Sequence, residues 1–163
     1  MLKMARPKVY LETTIPSYAT ALPSRDLVRA GLQQVTRDWW ATRHAFDLYI
    51  SQLVLDEAAA GHPAAAARRL EVLQEATVLG TTSEAIELSR ELLLRGGLPS
   101  KAVADAFHIA VAATHGLDFL LTWNCTHIAN ATTRSKIERI CRTAGFEPPV
   151  ICTPVELVEE ETP

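Results

Sequence analysis

The feature that most constrains the fold is the alternation of short apolar segments with longer helical segments along the whole chain. The apolar segments lack a polar face, as is typical of strands that are covered on both sides. Strands that alternate with helices predict a parallel sheet with helices on both of its faces. With 163 residues, we expect one α/β domain over residues 1–163. The five expected strands lie, in chain order, in the stretches KVYLETT, FDLYIS, ATVLG, DFLLTW and PVICT.

The segment between the first strand and the first long helix reads IPSYATALPSRD. Because Pro16 and Pro23 interrupt it, we expect an irregular connection. Ser24 is the predicted N-cap of a helix that extends to about His44, since apolar residues recur there at helical spacing.

Composition limits the class of protein. Apolar residues make up 48% of the chain and charged residues 21%, which is normal for a globular protein. No apolar run reaches the roughly 20 residues that span a bilayer, and the N-terminus lacks the apolar segment of a signal peptide. We therefore expect a cytoplasmic protein without a membrane partner. Three widely spaced cysteines favour reduced thiols over a disulfide framework.

The formal net charge of -3 argues against a protein that coats nucleic acid by bulk electrostatics. It leaves a nuclease open, because a metal site is itself a cluster of acids. The spacing of histidines and cysteines does not fit zinc, and the phosphate-binding glycine motifs are absent from the sequence.

Polar side chains recur where parallel strands end, which is where sites form in such sheets. Glu12 ends the first strand, and Glu57 lies on the apolar face of the helix after the second strand. Asp105 lies on the inner face of an otherwise apolar helix, and the fourth strand ends at Thr122 and Asn124. We expect these side chains to meet at one edge of the sheet.

Each acid also has an ordinary explanation, as a solvated strand end, a helix-surface acid, or a carboxylate that favours the helix dipole. Together, however, several carboxylates in one pocket repel each other, and a divalent cation removes that repulsion. Oxygen ligands favour Mg²⁺ or Mn²⁺. His108, one turn after Asp105, is expected to be packed or hydrogen-bonded to a partner, not a metal ligand.

The ordered set of residues resembles a known family. It comprises an acid after strand one with a hydroxyl two residues later, a Glu after strand two, ADAFHIAVA on a late helix and LLTWN at strand four. This set resembles the PIN domain, close to the VapC-type toxins of bacterial toxin–antitoxin pairs. The resemblance covers essentially the whole chain and is most specific in DAFHIAVAATHGLDFLLTWNCTHIAN and VYLETTIPSY.

The resemblance implies a five-stranded parallel sheet, a divalent-metal site and endonucleolytic cleavage of RNA to 5′-phosphate and 3′-hydroxyl products. It also implies inhibition by a small antitoxin protein and frequent homodimers. Glu12, Glu57 and Asp105 match the three core acids, Thr14 matches a supporting hydroxyl, and Asn124 matches a position that is often Asp. Two departures stand out: Glu12 is one methylene longer than the family's usual Asp, and Asn124 brings no charge.

In the expected reaction, Glu12 and Asp105 hold the Mg²⁺ or Mn²⁺ ion, while Glu57 orients a water or acts as a base. Thr14 and Thr122 support the acids, and Asn124 closes the pocket. Contacts to the phosphates of the RNA substrate are expected from four cationic side chains, Arg25, Arg29, Lys101 and Arg134.

Two other functions stay open on the sequence. The first is a catalytically weakened PIN-like module that binds RNA or protein without cleavage. The second is a small-molecule phosphohydrolase, against which the turn LETT lacks a D-x-D nucleophile arrangement.

Overall fold

The computed structural model describes residues 4–158 of the chain. Its five strands form one sheet in the order β3-β2-β1-β4-β5, and every neighbouring pair is parallel. The strands are β1 (Lys8–Leu11), β2 (Asp47–Ser51), β3 (Thr77–Leu79), β4 (Phe119–Leu121) and β5 (Val150–Cys152). The α-helices are α1 (Thr14–Thr20), α2 (Leu27–Ala41), α3 (Gln52–Ala58), α4 (Pro63–Leu73), α5 (Ser83–Leu94), α6 (Val103–Thr114) and α7 (Ala131–Thr143). The predicted α/β class and all five expected strands are confirmed.

Helices cover both faces of the sheet. Successive side chains of a strand point to opposite faces, and Val9, Tyr10 and Leu11 of β1 are nevertheless all fully buried. Two groups of helices provide this cover. Helices α6 and α7 pack on α5, whereas α1 packs on α2 and α4, and α3 packs on α4. The apolar character of the strands therefore reflects burial on both sides.

Two local predictions were wrong. The segment after β1 is not irregular but forms α1, in which Pro16 occupies the first turn, where a missing N–H costs nothing. Ile15, also in that turn, is fully buried and anchors the helix to the core. Asp26, not Ser24, caps α2, since its carboxylate accepts a hydrogen bond from the backbone N–H of Arg29 at 2.8 Å. Helix α2 ends at Ala41, before a short 3₁₀ turn.

The register of the two central strands determines which side chains meet. Leu11 of β1 lies opposite Leu121 of β4, and the backbone N–H of Glu12 donates to the carbonyl oxygen of Leu121 at 3.1 Å. The backbone N–H of Thr122 continues the ladder to Cys152 of β5 at 3.0 Å. Glu12 and Thr122 are consequently brought side by side at the carboxyl edge of the sheet. No helix in residues 4–158 is both long enough and apolar enough to cross a membrane.

The stability of the fold is expected to depend on the central strands far more than on the edge strand. Leu120→Ala removes a fully buried side chain of β4 and should lower the free energy of unfolding by about 2–5 kcal/mol. Val78→Ala, on half-exposed edge strand β3, should cost about 1 kcal/mol or less. Urea unfolding followed by circular dichroism measures both, and equal losses would contradict this account of the core.

Candidate metal centre

Glu12 is a buried carboxylate that is surrounded by neutral donors. Only 5% of the residue is exposed. Its Oε1 accepts hydrogen bonds from the hydroxyls of Thr14 and Thr122, both at 2.6 Å, and its Oε2 accepts from the backbone N–H of Thr14 at 3.1 Å. These three bonds fix the orientation of the carboxylate and leave part of Oε2 available to a ligand.

The two hydroxyls that hold Glu12 are themselves held by the backbone after β4. Thr14 Oγ1 accepts from the backbone N–H of Trp123 at 2.8 Å, and Thr122 Oγ1 accepts from the backbone N–H of Asn124 at 2.8 Å. Each hydroxyl thus donates to Glu12 and accepts from a backbone N–H of the segment that follows β4. This arrangement joins the turn after β1 to the loop after β4, although the two are more than a hundred residues apart in sequence.

Glu57 approaches from α3 and is more exposed, with 36% of its side chain accessible. Its Oε1 accepts from Thr13 Oγ1 at 2.6 Å and lies 2.8 Å from Nε2 of His108. The hydrogen bond from His108, with a smaller contribution from Thr13, lowers the pKa of the Glu57 carboxyl, against the opposing effect of burial. Glu57 is therefore ionised at neutral pH.

Asp105, in the first turn of α6, belongs to a neighbouring group of side chains. Its Oδ1 accepts from the Asn124 amide at 3.0 Å, and its Oδ2 lies 2.8 Å from Nδ1 of His127. Asn124 Oδ1 in turn accepts from the backbone N–H of His127 at 3.0 Å. Asn124 therefore binds both Asp105 and the loop that carries His127, and its amide places a donor where a second carboxylate would repel Asp105.

The structure brings the predicted residues to one edge of the sheet, in two linked groups. Glu12, Glu57 and His108 each offer one ligand atom, and these atoms all lie within 4.8 Å of one another. Asp105 joins them indirectly, through the hydrogen bonds of Asn124 and Thr122 described above. Helix α6 contributes to both groups, since Asp105 lies in its first turn and His108 one turn later.

The prediction that His108 is bonded to a partner is confirmed. The residue is only 1% exposed, and both ring nitrogens have partners, since Nδ1 lies 2.7 Å from the Tyr10 hydroxyl. Three contributors were missed from the sequence: Tyr10, Thr13 and His127. Thr13 directly follows Glu12, and His127 lies three residues after Asn124. The available signal was therefore their closeness in sequence to the expected site residues.

The charge of this edge fits a divalent cation. Within the described part of the chain, Glu12, Glu57 and Asp105 all lack a Lys or Arg within salt-bridge distance. The side chains beside them that could carry a positive charge are two histidines, His108 at Glu57 and His127 at Asp105. A buried carboxylate without a cationic partner is costly. Carboxylate oxygens are ligands that Mg²⁺ and Mn²⁺ prefer, and Glu12, Glu57 and Asp105 offer them at this edge.

The four cationic residues expected to contact RNA differ in their surroundings. Arg25, Arg29 and Lys101 are exposed. Arg134, in the first turns of α7, is partly buried, and its Nε is a buried donor without a partner in residues 4–158. Helix α7 follows the loop that leaves the carboxyl end of β4. Arg134 therefore lies near the same edge of the sheet as the acids.

Comparisons with known proteins agree with the fold. The family model described as PIN domain matches residues 32–124, more than half of the chain. Among solved structures, the chain is similar to one from VapBC2 of Rickettsia felis, determined bound to a DNA fragment from its promoter. That match has a TM-score of 0.52 and 15% identity and covers 90% of this chain and 98% of the other. At this identity the likeness concerns the fold alone. No significant relative was found among curated protein sequences.

The lowered pKa of Glu57 predicts a pH-dependent contribution to stability. A carboxyl whose pKa is lower in the folded state stabilises the protein above its unfolded pKa of about 4.3. This stabilisation is lost as the pH falls through the lower folded value. In EDTA, wild type should therefore be more stable than Glu57→Gln at neutral pH, and the difference should shrink below about pH 4.3.

Urea unfolding between neutral and acid pH measures that difference. Asp56→Asn is the matched control, because Asp56 is on the same helix and its carboxylate bonds to Gln52. A difference that stays constant, or grows, as the pH falls would contradict the assigned role of the His108 and Thr13 hydrogen bonds.

Proposed function

Because the chain belongs to the PIN-domain family, we propose that it is a divalent-metal-dependent endoribonuclease and the toxin of a toxin–antitoxin pair. The observation that carries the proposal is the edge of the sheet at which Glu12, Glu57 and Asp105 gather without a Lys or Arg partner in residues 4–158. A metal ion would supply the missing positive charge, and an acidic pocket without it would repel the phosphates of RNA.

Glu12 and Asp105 are the residues that would hold Mg²⁺ or Mn²⁺, with Glu57 as a third oxygen donor. When bound, such an ion would lower the pKa of a water and neutralise charge on the scissile phosphate. The hydroxyls of Thr14 and Thr122 keep Glu12 in one orientation. Because Glu12 is one methylene longer than Asp, this restraint compensates for the extra freedom of its side chain.

The remaining chemistry is assigned to Glu57, whose Oε2 has no hydrogen-bond partner among the described residues. Glu57 orients the attacking water and accepts one of its protons. The water oxygen then bonds to phosphorus, the bond from phosphorus to the 3′-oxygen breaks, and that oxygen takes a proton from solvent. The products carry a 5′-phosphate and a 3′-hydroxyl.

The substrate phosphates would contact cationic side chains outside the acidic pocket. Arg134 is the strongest of the four candidates, because it lies at the start of α7, the helix after β4, and its guanidinium has no carboxylate partner in residues 4–158. Arg25, Arg29 and Lys101 are exposed and would contact RNA farther from the cleaved bond.

A second candidate function is a weakened PIN-like module that binds RNA or protein. The observation that favours it is the state of Asp105, since both of its oxygens already accept hydrogen bonds, from Asn124 and His127. Carboxylate oxygens retain further lone pairs, so these bonds do not prevent metal binding. RNA binding without metal-dependent cleavage would select this alternative.

RNA digestion tests the nuclease directly. Wild type should cleave RNA with Mn²⁺ and lose this activity in EDTA, and Asp105→Asn should abolish cleavage while the circular dichroism spectrum is unchanged. Asp56→Asn, which alters an exposed acid one residue from Glu57, should cleave like wild type. Mn²⁺ at a hundred times its dissociation constant should also stabilise wild type by about 2.7 kcal/mol, and Asp105→Asn by less. Metal-independent cleavage, or cleavage by Asp105→Asn, would contradict the assignment.

The proposed partner is a small antitoxin protein that covers an apolar surface and places a basic side chain in the acidic pocket. The structural neighbour comes from VapBC2, which supports a partner of this kind. On this chain, Leu22, Leu27 and Val28 are exposed around the start of α2, and a partner would remove this apolar surface from water. We also propose that the protein is a cytoplasmic homodimer.

Co-expression with the product of the adjacent small reading frame should yield a stable complex with suppressed nuclease activity. Replacement of Leu27 and Val28 together by Glu should weaken the complex at least about tenfold, or 1.4 kcal/mol, and leave the free nuclease active. Leu94→Glu, at an equally exposed site on α5, is the control. Failure of wild type to form a complex would exclude the proposed antitoxin partner. Sedimentation equilibrium of the protein alone tests the proposed homodimer.

A further inference from the structure

A buried chain of hydrogen bonds leads from the core to Glu57. Ser51 Oγ lies 2.8 Å from the Tyr10 hydroxyl, which lies 2.7 Å from His108 Nδ1. His108 Nε2 completes the chain, 2.8 Å from Glu57 Oε1. Ser51, Tyr10 and His108 are all essentially inaccessible to solvent. Three polar side chains in an apolar core have a cost unless each is paired, and each of them is paired here.

The protons in this chain can be assigned by counting donors. Glu57 is ionised and offers no proton to His108. If Nε2 also lacked a proton, its lone pair and that of Oε1 would face each other at 2.8 Å, and the contact would be repulsive. Nε2 therefore carries a proton and donates it to Glu57.

The Tyr10 hydroxyl contacts the other ring nitrogen of His108. Burial raises the pKa of Tyr10, so the hydroxyl keeps its proton and can donate it to Nδ1 of His108, 2.7 Å away. The Ser51 hydroxyl can then donate to the Tyr10 oxygen. The three contacts use three protons, all donated toward Glu57. Each of the side-chain groups of Ser51, Tyr10 and His108 then has a partner in this series of hydrogen bonds.

We infer that His108 is a positioning residue for Glu57 and not a metal ligand, although its ring lies among the candidate ligands. It holds Oε1 of Glu57 and so reserves Oε2 for the ion or the attacking water. Tyr10 acts one step behind it, because its hydroxyl contacts Nδ1 at 2.7 Å and holds the ring in its orientation toward Glu57. The effect of His108 on catalysis rests on the proposed function. The position of the proton on His108 can be tested whether or not the protein is a nuclease.

The protonation state can be measured without metal or RNA. Nitrogen-15 NMR of the histidine-labelled protein should show His108 with its proton on Nε2. Tyr10→Phe removes the donor to Nδ1 and should shift the Nδ1 signal, while the proton stays on Nε2 because Glu57 still faces that nitrogen. Ser51→Ala leaves the Tyr10 donor in place and should keep the wild-type signal. A proton on Nδ1 alone in the wild type would overturn the inference.

Mn²⁺ binding and RNA kinetics test the consequence. Partners that orient a metal ligand typically contribute about 10- to 100-fold in affinity or activity. Tyr10→Phe should weaken Mn²⁺ binding or lower kcat in that range with little change in KM, and Ser51→Ala should change neither appreciably. His108→Gln keeps an N–H that can donate to Glu57 and should retain most of the Mn²⁺ affinity.

Pulsed electron paramagnetic resonance of bound Mn²⁺ separates the two roles of His108. The spectrum of His108→Gln should equal that of wild type, because no nitrogen at position 108 is bound to the ion. Loss of a bound-nitrogen signal in this variant would make His108 a ligand and overturn the inference while the nuclease stands. If wild type neither binds Mn²⁺ nor cleaves RNA, yet carries the proton on Nε2, the proposed function falls and the positioning of Glu57 stands.

Discussion

The interaction on which the rest of the site depends is the set of hydrogen bonds to the buried carboxylate of Glu12. Two threonine hydroxyls and one backbone N–H bind it, and none of them carries a charge. Neutral donors make burial of the carboxylate tolerable, but they do not cancel its charge. The same hydroxyls accept hydrogen bonds from the segment after β4, so the carboxylate and the loop that carries Asn124 hold each other in place. A negative edge of the sheet is built into the fold in this way.

The site contains two histidine–carboxylate pairs, and the two differ in burial. His108 is almost completely buried and binds Glu57 from the core side, whereas His127 is partly exposed and binds Asp105 from the loop after β4. A histidine that is held on both nitrogens can restrain a carboxylate without becoming a ligand, which suits His108. Asn124 provides a third restraint, because its amide donates to Asp105 where a carboxylate would repel it. The departures from the usual acids of the family therefore change how the carboxylates are held as well as how many charges they bring.

Much of the fold could be predicted because it depends on patterns that are local in sequence. Apolar strands alternating with helices gave the parallel sheet, and the rule that sites form at carboxyl ends of strands gave Glu12, Asp105 and Asn124 as neighbours. The errors were also local. Pro16 suggests a break, yet a proline in the first turn of a helix is tolerated, and burial of Ile15 decided the matter. Ser24 and Asp26 are both good caps, and the sequence did not distinguish them.

The sequence by itself determined the fold class, because side-chain period and chain order dictate it, and it pointed to polar side chains near the ends of the strands; the supporting role of Thr14 was implied by the resemblance to the PIN domain. Only the tertiary structure decided how the acids are grouped. It placed Glu57 against His108 and Asp105 against His127, and it aligned Tyr10 with both Ser51 and His108. These contacts join residues far apart in the chain. They form only if strand register and helix packing place the two partners within hydrogen-bond distance of each other. No periodicity in the sequence encodes a distance of that kind, so the buried contacts that lead to Glu57 became visible only in the folded chain.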